Sequence, residues 1–98
     1  MAYRLEYLAL ADFDMAEAED YLFKHSPQAY DKFMEAIKKQ EALLSDNPLM
    51  YQVYESRPYL RCMGFPYKYL CFYHVDEEAK LITVHRILRG MRDIASIL

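Results

Sequence analysis

The segment KYLCFYHVDEEAKLITVHRIL, residues 68–88, decides the fold. Its first part, residues 68–75, is apolar on both sides of an extended chain, as expected for a strand in the middle of a sheet. The polar residues 76–79 (DEEA) form a reverse turn, and residues 80–88 return as a second strand. Because so short a loop joins antiparallel neighbours, this segment predicts a β-hairpin at the centre of the protein.

Two more strands are predicted outside this hairpin. Residues 59–63 are expected to form a strand that leads into the hairpin through a turn around residues 64–66, which read GFP. Near the N-terminus, residues 2–8 (AYRLEYL) alternate between apolar and polar side chains, a pattern typical of a half-buried strand. Residues 49–58 give no clear pattern.

Two helices are predicted between the first strand and the others. Residues 9–25 repeat apolar side chains with helical spacing, at Ala11, Met15, Ala18 and Leu22. Ser26 and Pro27 then begin a second helix, because serine is a preferred N-cap and proline a preferred first helical residue. Its apolar stripe is Tyr30, Phe33, Met34, Ile37 and Leu44, and it ends at residues 45–48, which read SDNP. A short connection makes the two helices an antiparallel hairpin.

The element order is therefore β-α-α-β-β-β, followed by a short helix or tail over residues 91–98. This order predicts a two-layer α+β fold over residues 1–98 as one domain. The helical hairpin would cover one face of a three-stranded antiparallel sheet, with the N-terminal strand beside it. The opposite face of the sheet would remain open.

Composition excludes several other classes of protein. No apolar run approaches the roughly 20 residues of a membrane span. Acidic residues interrupt the N-terminus at Glu6, Asp12 and Asp14, so we expect no signal peptide and a cytoplasmic location. Cys62 and Cys71 form no CxxC motif and have no histidine at metal spacing, so we expect buried free thiols, no metal and no cofactor.

Charge is distributed unevenly along the chain, whose net charge is −3. Residues 1–49 hold five basic and ten acidic residues, whereas residues 50–98 hold seven basic and five acidic residues. Such asymmetry indicates two surfaces with different partners, or simply an unevenly solvated surface. The basic residues that the predicted sheet could bring together are Arg61, Lys68, Arg86, Arg89 and Arg92.

Alternation along the last strand assigns its side chains to two faces. One set is Leu81, Thr83, His85 and Ile87, and the other is Ile82, Val84, Arg86 and Leu88. An open face that mixes tyrosine with basic residues suits a phosphate backbone or an acidic protein. The alternative is a solvated outer face whose arginines form ion pairs with the acidic helices.

The element order, together with motifs in the C-terminal half, resembles the RelE/ParE superfamily over nearly the whole chain. These are the small toxins of bacterial type II toxin–antitoxin systems, also called plasmid stabilisation proteins. The resemblance is carried by Arg61, FPY (residues 65–67), FYHVD (residues 72–76), RIL (residues 86–88), Gly90 and RD (residues 92–93). It implies a protein that inhibits growth and is silenced by a cognate antitoxin in a hetero-oligomer.

The superfamily includes two mechanisms of growth inhibition. ParE-like members bind DNA gyrase and are not nucleases, whereas RelE-like members are metal-free endoribonucleases that cut mRNA on the ribosome. The tail over residues 94–98 lacks the tyrosine that RelE-like members place there, and an acidic chain is poorly suited to RNA. The ending RILRGMRD also resembles the ParE side, so gyrase binding is favoured.

The two mechanisms assign different residues. Gyrase binding would use Arg61, Lys68, Arg86, Arg89 and Arg92. The alternative ribonuclease would use Arg61, His85 and Arg92, with His85 as a general base. A third alternative is a decayed toxin that still binds its antitoxin but no longer inhibits growth.

Overall fold

The computed structural model describes residues 2–90 and 94–98, and its elements follow the predicted order. A short 3₁₀ turn over Pro66–Lys68 joins the third and fourth strands. The remaining elements are β1 (Arg4–Tyr7), α1 (Ala9–His25), α2 (Pro27–Asp46), β2 (Val53–Tyr54), β3 (Arg57–Phe65), β4 (Tyr69–Asp76), β5 (Leu81–Arg89) and α3 (Ile94–Ile97).

The helical hairpin has the predicted boundaries. The Ser26 hydroxyl accepts a hydrogen bond from the backbone N–H of Ala29 at 3.2 Å, which is the N-cap interaction. Pro27 follows as the first helical residue, where its missing N–H costs nothing. The apolar stripe of α2 is buried at Phe33, Ile37 and Leu44, so the prediction for this helix is confirmed.

The three C-terminal strands β3, β4 and β5 are antiparallel, as predicted, and the parallel β1, whose direction was not predicted, makes the whole sheet mixed. Its strand order is β1-β5-β4-β3-β2, and β1 pairs in parallel with β5 while the other neighbours are antiparallel. Only strands joined by a tight turn must be antiparallel, and β1 is separated from β5 by the helices and three strands. The unassigned residues 49–58 include the short edge strand β2.

The core lies between the helices and one face of the sheet, which we call the helix face. Its sheet side chains include Met63, Phe65, Tyr69, Cys71, Tyr73, Ile82, Val84 and Ile87. The opposite face is not fully open, contrary to the prediction. The short helix α3 covers part of it, where Leu60, Phe72 and Leu88 pack against Ile94. Burial of apolar side chains on both faces explains the apolar run of β4.

A β-bulge in β5 changes the predicted alternation. Phe72 lies opposite Arg86 and Tyr73 lies opposite Val84, so His85 is the extra residue on the bulged strand. An extra residue shifts the following side chains to the other face. As a result Ile87 joins the core on the helix face, and its predicted place beside His85 is wrong.

The two cysteines lie on opposite faces of the sheet and are free thiols. Cys71 is fully buried on the helix face, and Cys62 is half-buried on the opposite face. Burial raises the pKa of both thiols, which keeps them protonated at neutral pH. Within residues 2–90 and 94–98, no helix is long and apolar enough to cross a membrane.

Candidate target-binding site

Arg86 is held inside the fold by Asp14. Its Nε donates to Asp14 Oδ2 at 2.7 Å and its second terminal nitrogen donates to Oδ1 at 3.0 Å. The hydrogen bond to Asp14 raises the pKa of Arg86. The side chains are 21% and 7% exposed, so this bidentate pair is largely removed from water. Its guanidinium is therefore already occupied by a carboxylate.

The end of β1 explains why Asp14 lies there. The strand β1 stops at Tyr7, so the outer edge of β5 beyond Val84 has no neighbouring strand. Helix α1 runs beside this edge, and Asp14 Oδ2 also accepts the backbone N–H of Ile87 at 3.0 Å. One carboxylate thus satisfies both the strand edge and the arginine, as buried polar groups require.

Arg89 is held differently, three residues further along β5. Its guanidinium carbon lies 5.3 Å from the ring centroid of Tyr21 on α1 and 5.7 Å from that of Tyr69 on β4. Both distances allow cation–π attraction. Burial raises the pKa of Tyr69, while the charge of Arg89 acts in the opposite direction. Arg89 forms no ion pair with any residue that the structure describes.

Lys68 lies at the same end of the sheet as Arg89. Its backbone carbonyl accepts a hydrogen bond from the N–H of Gly90 at 2.7 Å, directly after β5. Tyr69, the next residue, is paired with Arg89 across β4 and β5. The Lys68 side chain is exposed and forms no ion pair within the described part of the chain. Arg92 follows shortly after in sequence but lies outside the described residues.

Arg61 is not part of this group. Its side chain donates to the carbonyl oxygens of Tyr51 at 2.6 Å and Leu49 at 3.4 Å, and so fixes the segment after α2. Across the sheet Arg61 lies opposite Tyr73, four residues along β4 from the partner of Arg89. At about 3.3 Å per residue this separation is about 13 Å.

The residues of the alternative ribonuclease are not brought together where they are described. His85 lies beside His74, with ring centroids 6.4 Å apart, on the face opposite the helices. Burial, and secondarily the neighbouring His74, lowers the pKa of His85. Arg61 is directed to the segment after α2, and Arg92 lies outside the described residues. The described residues also contain no cluster of three His, Cys, Asp or Glu able to hold a metal ion.

The sequence left open ion pairs between the sheet arginines and the acidic helices, and the Arg86–Asp14 pair is one. It did not identify the three side chains that give Arg86 and Arg89 different surroundings, which are Asp14, Tyr21 and Tyr69. In the sequence Asp14 is one of the acids that interrupt the apolar N-terminus, yet in the structure it lies on the buried stripe of α1 with Ala11 and Ala18. An acid at a buried position needs a cationic partner, which was a usable signal. Tyr21 and Tyr69 gave no such signal, because their contact with Arg89 depends on how α1 lies across the sheet.

A groove runs between α1 and the end of β5, next to Arg89. It has a volume of about 600 Å³ and is lined by side chains of α1 on one side and by the end of β5 on the other. Three of its side chains are apolar or aromatic and well exposed, namely Leu10 (58%), Phe13 (59%) and Tyr21 (42%). Grouped exposed apolar side chains of this kind mark surfaces that bind other proteins.

The sequence pattern of one toxin family matches this chain over residues 5–94. That family is the ParE toxin of the type II toxin–antitoxin system parDE. The match covers most of the chain, so the protein belongs to the ParE toxin family, within the RelE/ParE superfamily. No curated protein matches the chain in sequence.

Solved structures of low sequence identity share the fold. A chain of the chromosomal ParDE toxin–antitoxin system from P. aeruginosa is 21% identical with a TM-score of 0.71, covering 90% of this chain and 96% of that one. A chain of the RelBE2 toxin–antitoxin complex from Mycobacterium tuberculosis is 17% identical with a TM-score of 0.62, covering 92% and 94%. The free E. coli toxin RelE, an arginine-substituted mutant, is 15% identical with a TM-score of 0.65, covering 99% and 93%.

Proposed function

We propose that this ParE-family toxin inhibits growth by binding DNA gyrase and is neutralised by a cognate antitoxin. The family match over residues 5–94 is the observation that carries this proposal. The proposal includes action in the cytoplasm, where gyrase works, and a role in plasmid stabilisation. It requires no cofactor and no chemistry by the toxin itself.

The proposed contact with gyrase is the basic end of the sheet formed by Lys68 and Arg89, together with Arg92, which follows in sequence outside the described residues. Lys68 and Arg89 have no ion pair among the described residues and lie at the same end of β4 and β5. Unpaired cations attract an acidic protein surface and speed encounter with it. Arg61 and Arg86, which the sequence also suggested as target-binding residues, are proposed to support this surface, because their guanidinium groups are occupied within the fold.

The proposed antitoxin site is the groove between α1 and β5. Its exposed side chains Leu10, Phe13 and Tyr21 would be covered by a segment that folds on binding, as in coupled folding and binding generally. The related chains from P. aeruginosa and M. tuberculosis come from toxin–antitoxin systems, which supports a hetero-oligomer here. Because Arg89 also lines the groove, a bound antitoxin would cover part of the proposed gyrase contact.

Two observations weigh against the alternative of ribosome-dependent mRNA cleavage. Arg61 is bonded to backbone carbonyls, about 13 Å along the strand from the basic end. Among the described residues the ring neighbours of His85 are His74 and Tyr59, and the other described ribonuclease candidate, Arg61, is not one of them. The third alternative, a decayed toxin, can be distinguished from an active one only by measuring whether the protein inhibits growth.

A supercoiling assay tests the proposal. Purified chain is added to DNA gyrase, relaxed plasmid and ATP, and supercoiled or cleaved plasmid is measured. We expect loss of supercoiling or trapped cleaved plasmid, which prior addition of the antitoxin prevents. If gyrase is unaffected while induced expression still arrests growth, mapping mRNA 5′ ends tests the ribonuclease alternative. Normal growth without any antitoxin would indicate a decayed toxin.

A further inference from the structure

The turn between β3 and β4 has an unusual backbone. Tyr67 has φ 63° and ψ 32°, and the next residue, Lys68, has φ 66°. This left-handed region is disfavoured for residues with a side chain, and tight hairpins normally place Asn, Asp or Gly there. A tyrosine followed by a lysine therefore makes this turn less stable than an Asn-Gly turn would be.

The surrounding structure holds the turn in this conformation. Gln40 on α2 donates its side-chain amide to the carbonyl of Gly64 at 2.7 Å, on the strand that enters the turn. On the other side Gly90 donates its N–H to the Lys68 carbonyl at 2.7 Å. These two hydrogen bonds hold the turn beside the end of β5.

No interaction of the Tyr67 side chain with a described residue offsets this backbone strain. This side chain is 41% exposed and forms no hydrogen bond or ring contact with any residue that the structure describes. The exposed Lys68 side chain is likewise unpaired among the described residues. Strained backbone positions cluster at active and binding sites, where the strain holds a side chain in the orientation that binding needs.

We propose that Tyr67 is a target-binding residue that packs against an acidic protein surface, with Lys68 and Arg89 beside it. This inference rests on the proposed function and extends its basic surface by an aromatic residue. A tyrosine ring supplies a large contact area with little conformational freedom, and tyrosine and arginine are the residues that most often dominate protein interfaces. Because the turn is already ordered, binding would not have to order it.

The test is Tyr67→Asn, which keeps Lys68 and accepts the left-handed backbone. We expect the melting temperature to rise by about 4 °C, because strain is relieved. We also expect the concentration of toxin needed for half-inhibition of gyrase to rise more than about tenfold, because the ring is lost. A stabilised variant that inhibits poorly is the signature of a strained binding residue.

Lys80→Asn is the matched control. Lys80 also has a left-handed backbone, with φ 55°, in the turn at the opposite end of β4. We expect this variant to be equally or more stable than the wild type and to inhibit gyrase normally. Its rise in melting temperature should be smaller, because it loses the contact of the Lys80 amine with Tyr3, 5.1 Å from the ring centroid.

The possible outcomes separate this inference from the proposed function. Full inhibition by Tyr67→Asn overturns the role of Tyr67, and a lower melting temperature overturns the argument from strain. If the wild type leaves gyrase unaffected, the proposed function is wrong. In that case growth arrest by the wild type is compared with growth arrest by Tyr67→Asn, whatever the target is. Equal arrest by the two proteins overturns the role of Tyr67. A wild type without any growth effect overturns both proposals.

Discussion

Arg86 and Arg89 lie three residues apart on one strand and have opposite surroundings. Arg86 is bound through two hydrogen bonds by a carboxylate that is 7% exposed. Arg89 lies near two tyrosine rings and forms no ion pair with a described residue. The role of an arginine on a strand therefore depends on the side chains that lie beside it. Arg86 completes the fold, and Arg89 is available to a partner.

The difference has two structural causes. The parallel strand β1 ends at Tyr7, so α1 and its Asp14 take over the outer edge of β5. The bulge at His85 then shifts the side chains that follow it, so that Arg89 lies over Tyr69 on the helix face. Each of these causes can be altered by substitution, which allows the comparison to be tested.

Asp14→Ala should have the largest effect, on stability. It leaves the partly buried guanidinium of Arg86 and the backbone N–H of Ile87 without their acceptor. Breaking one side of a buried pair costs about 3–5 kcal/mol, measurable as a lower free energy of unfolding in urea. Asp20→Ala is the matched control on the same helix, because the Asp20–Lys24 pair is exposed and should contribute less than about 1 kcal/mol. Equal effects of the two substitutions would contradict a special role for Asp14.

Replacing Arg89 and Arg92 together by alanine should abolish toxicity. Interface residues of this type each contribute about 2 kcal/mol, so the loss of two should weaken gyrase inhibition by roughly 1,000-fold. The free energy of unfolding should change little, because among the described residues the side-chain contacts of Arg89 are cation–π contacts. Lys32→Ala with Lys38→Ala removes the same charge from α2 and controls for net charge. A fully toxic arginine double variant would show that the target binds elsewhere.

Tyr21→Leu should reduce gyrase inhibition about two- to fivefold, since a cation–π contact is worth about 0.5–1 kcal/mol. The substitution removes one of the two rings near Arg89. Tyr21→Phe is the control, because it keeps the ring and should inhibit like the wild type. Tyr21 is 42% exposed, so neither variant should unfold the protein. If both variants inhibit normally, Tyr21 does not position Arg89.

The smallest expected effect is a pH dependence caused by His85 at the bulge. Burial and the nearby His74 lower the pKa of His85 in the folded state, so folding is opposed once the unfolded histidine would gain a proton. Stability should therefore be unaffected above pH 6.5 and decrease as the pH falls below it. His85→Gln should flatten this part of the profile of melting temperature against pH. An unchanged profile would mean that another group causes the decrease.

The local elements were largely predictable from sequence. The boundaries of α1, the capping of α2 by Ser26 and the central β-hairpin all follow from neighbouring residues, and the structure confirms them. The direction of β1 was not predictable, because no turn connects it to β5. The bulge was also missed, because the residue types at 81–89 are equally compatible with a regular strand and with a bulged one.

The candidate site was predicted only as a list of basic residues. Of these, Lys68 and Arg89 lie together at one end of the sheet, while Arg61 and Arg86 are bound to other parts of the fold. A sequence shows which side chains are cationic, but the neutralising groups come from distant segments. Asp14, for example, is 72 residues from Arg86 in sequence.

The two helices, the hairpin and the family are predictable from the sequence, because each depends on local periodicity, capping or a contiguous motif. Only the tertiary structure decided which arginine is bound and which remains available. That choice depends on where β1 ends, how α1 crosses the sheet and where β5 bulges. These are contacts between residues distant in sequence. Because they are buried, they outweigh the local sequence preferences.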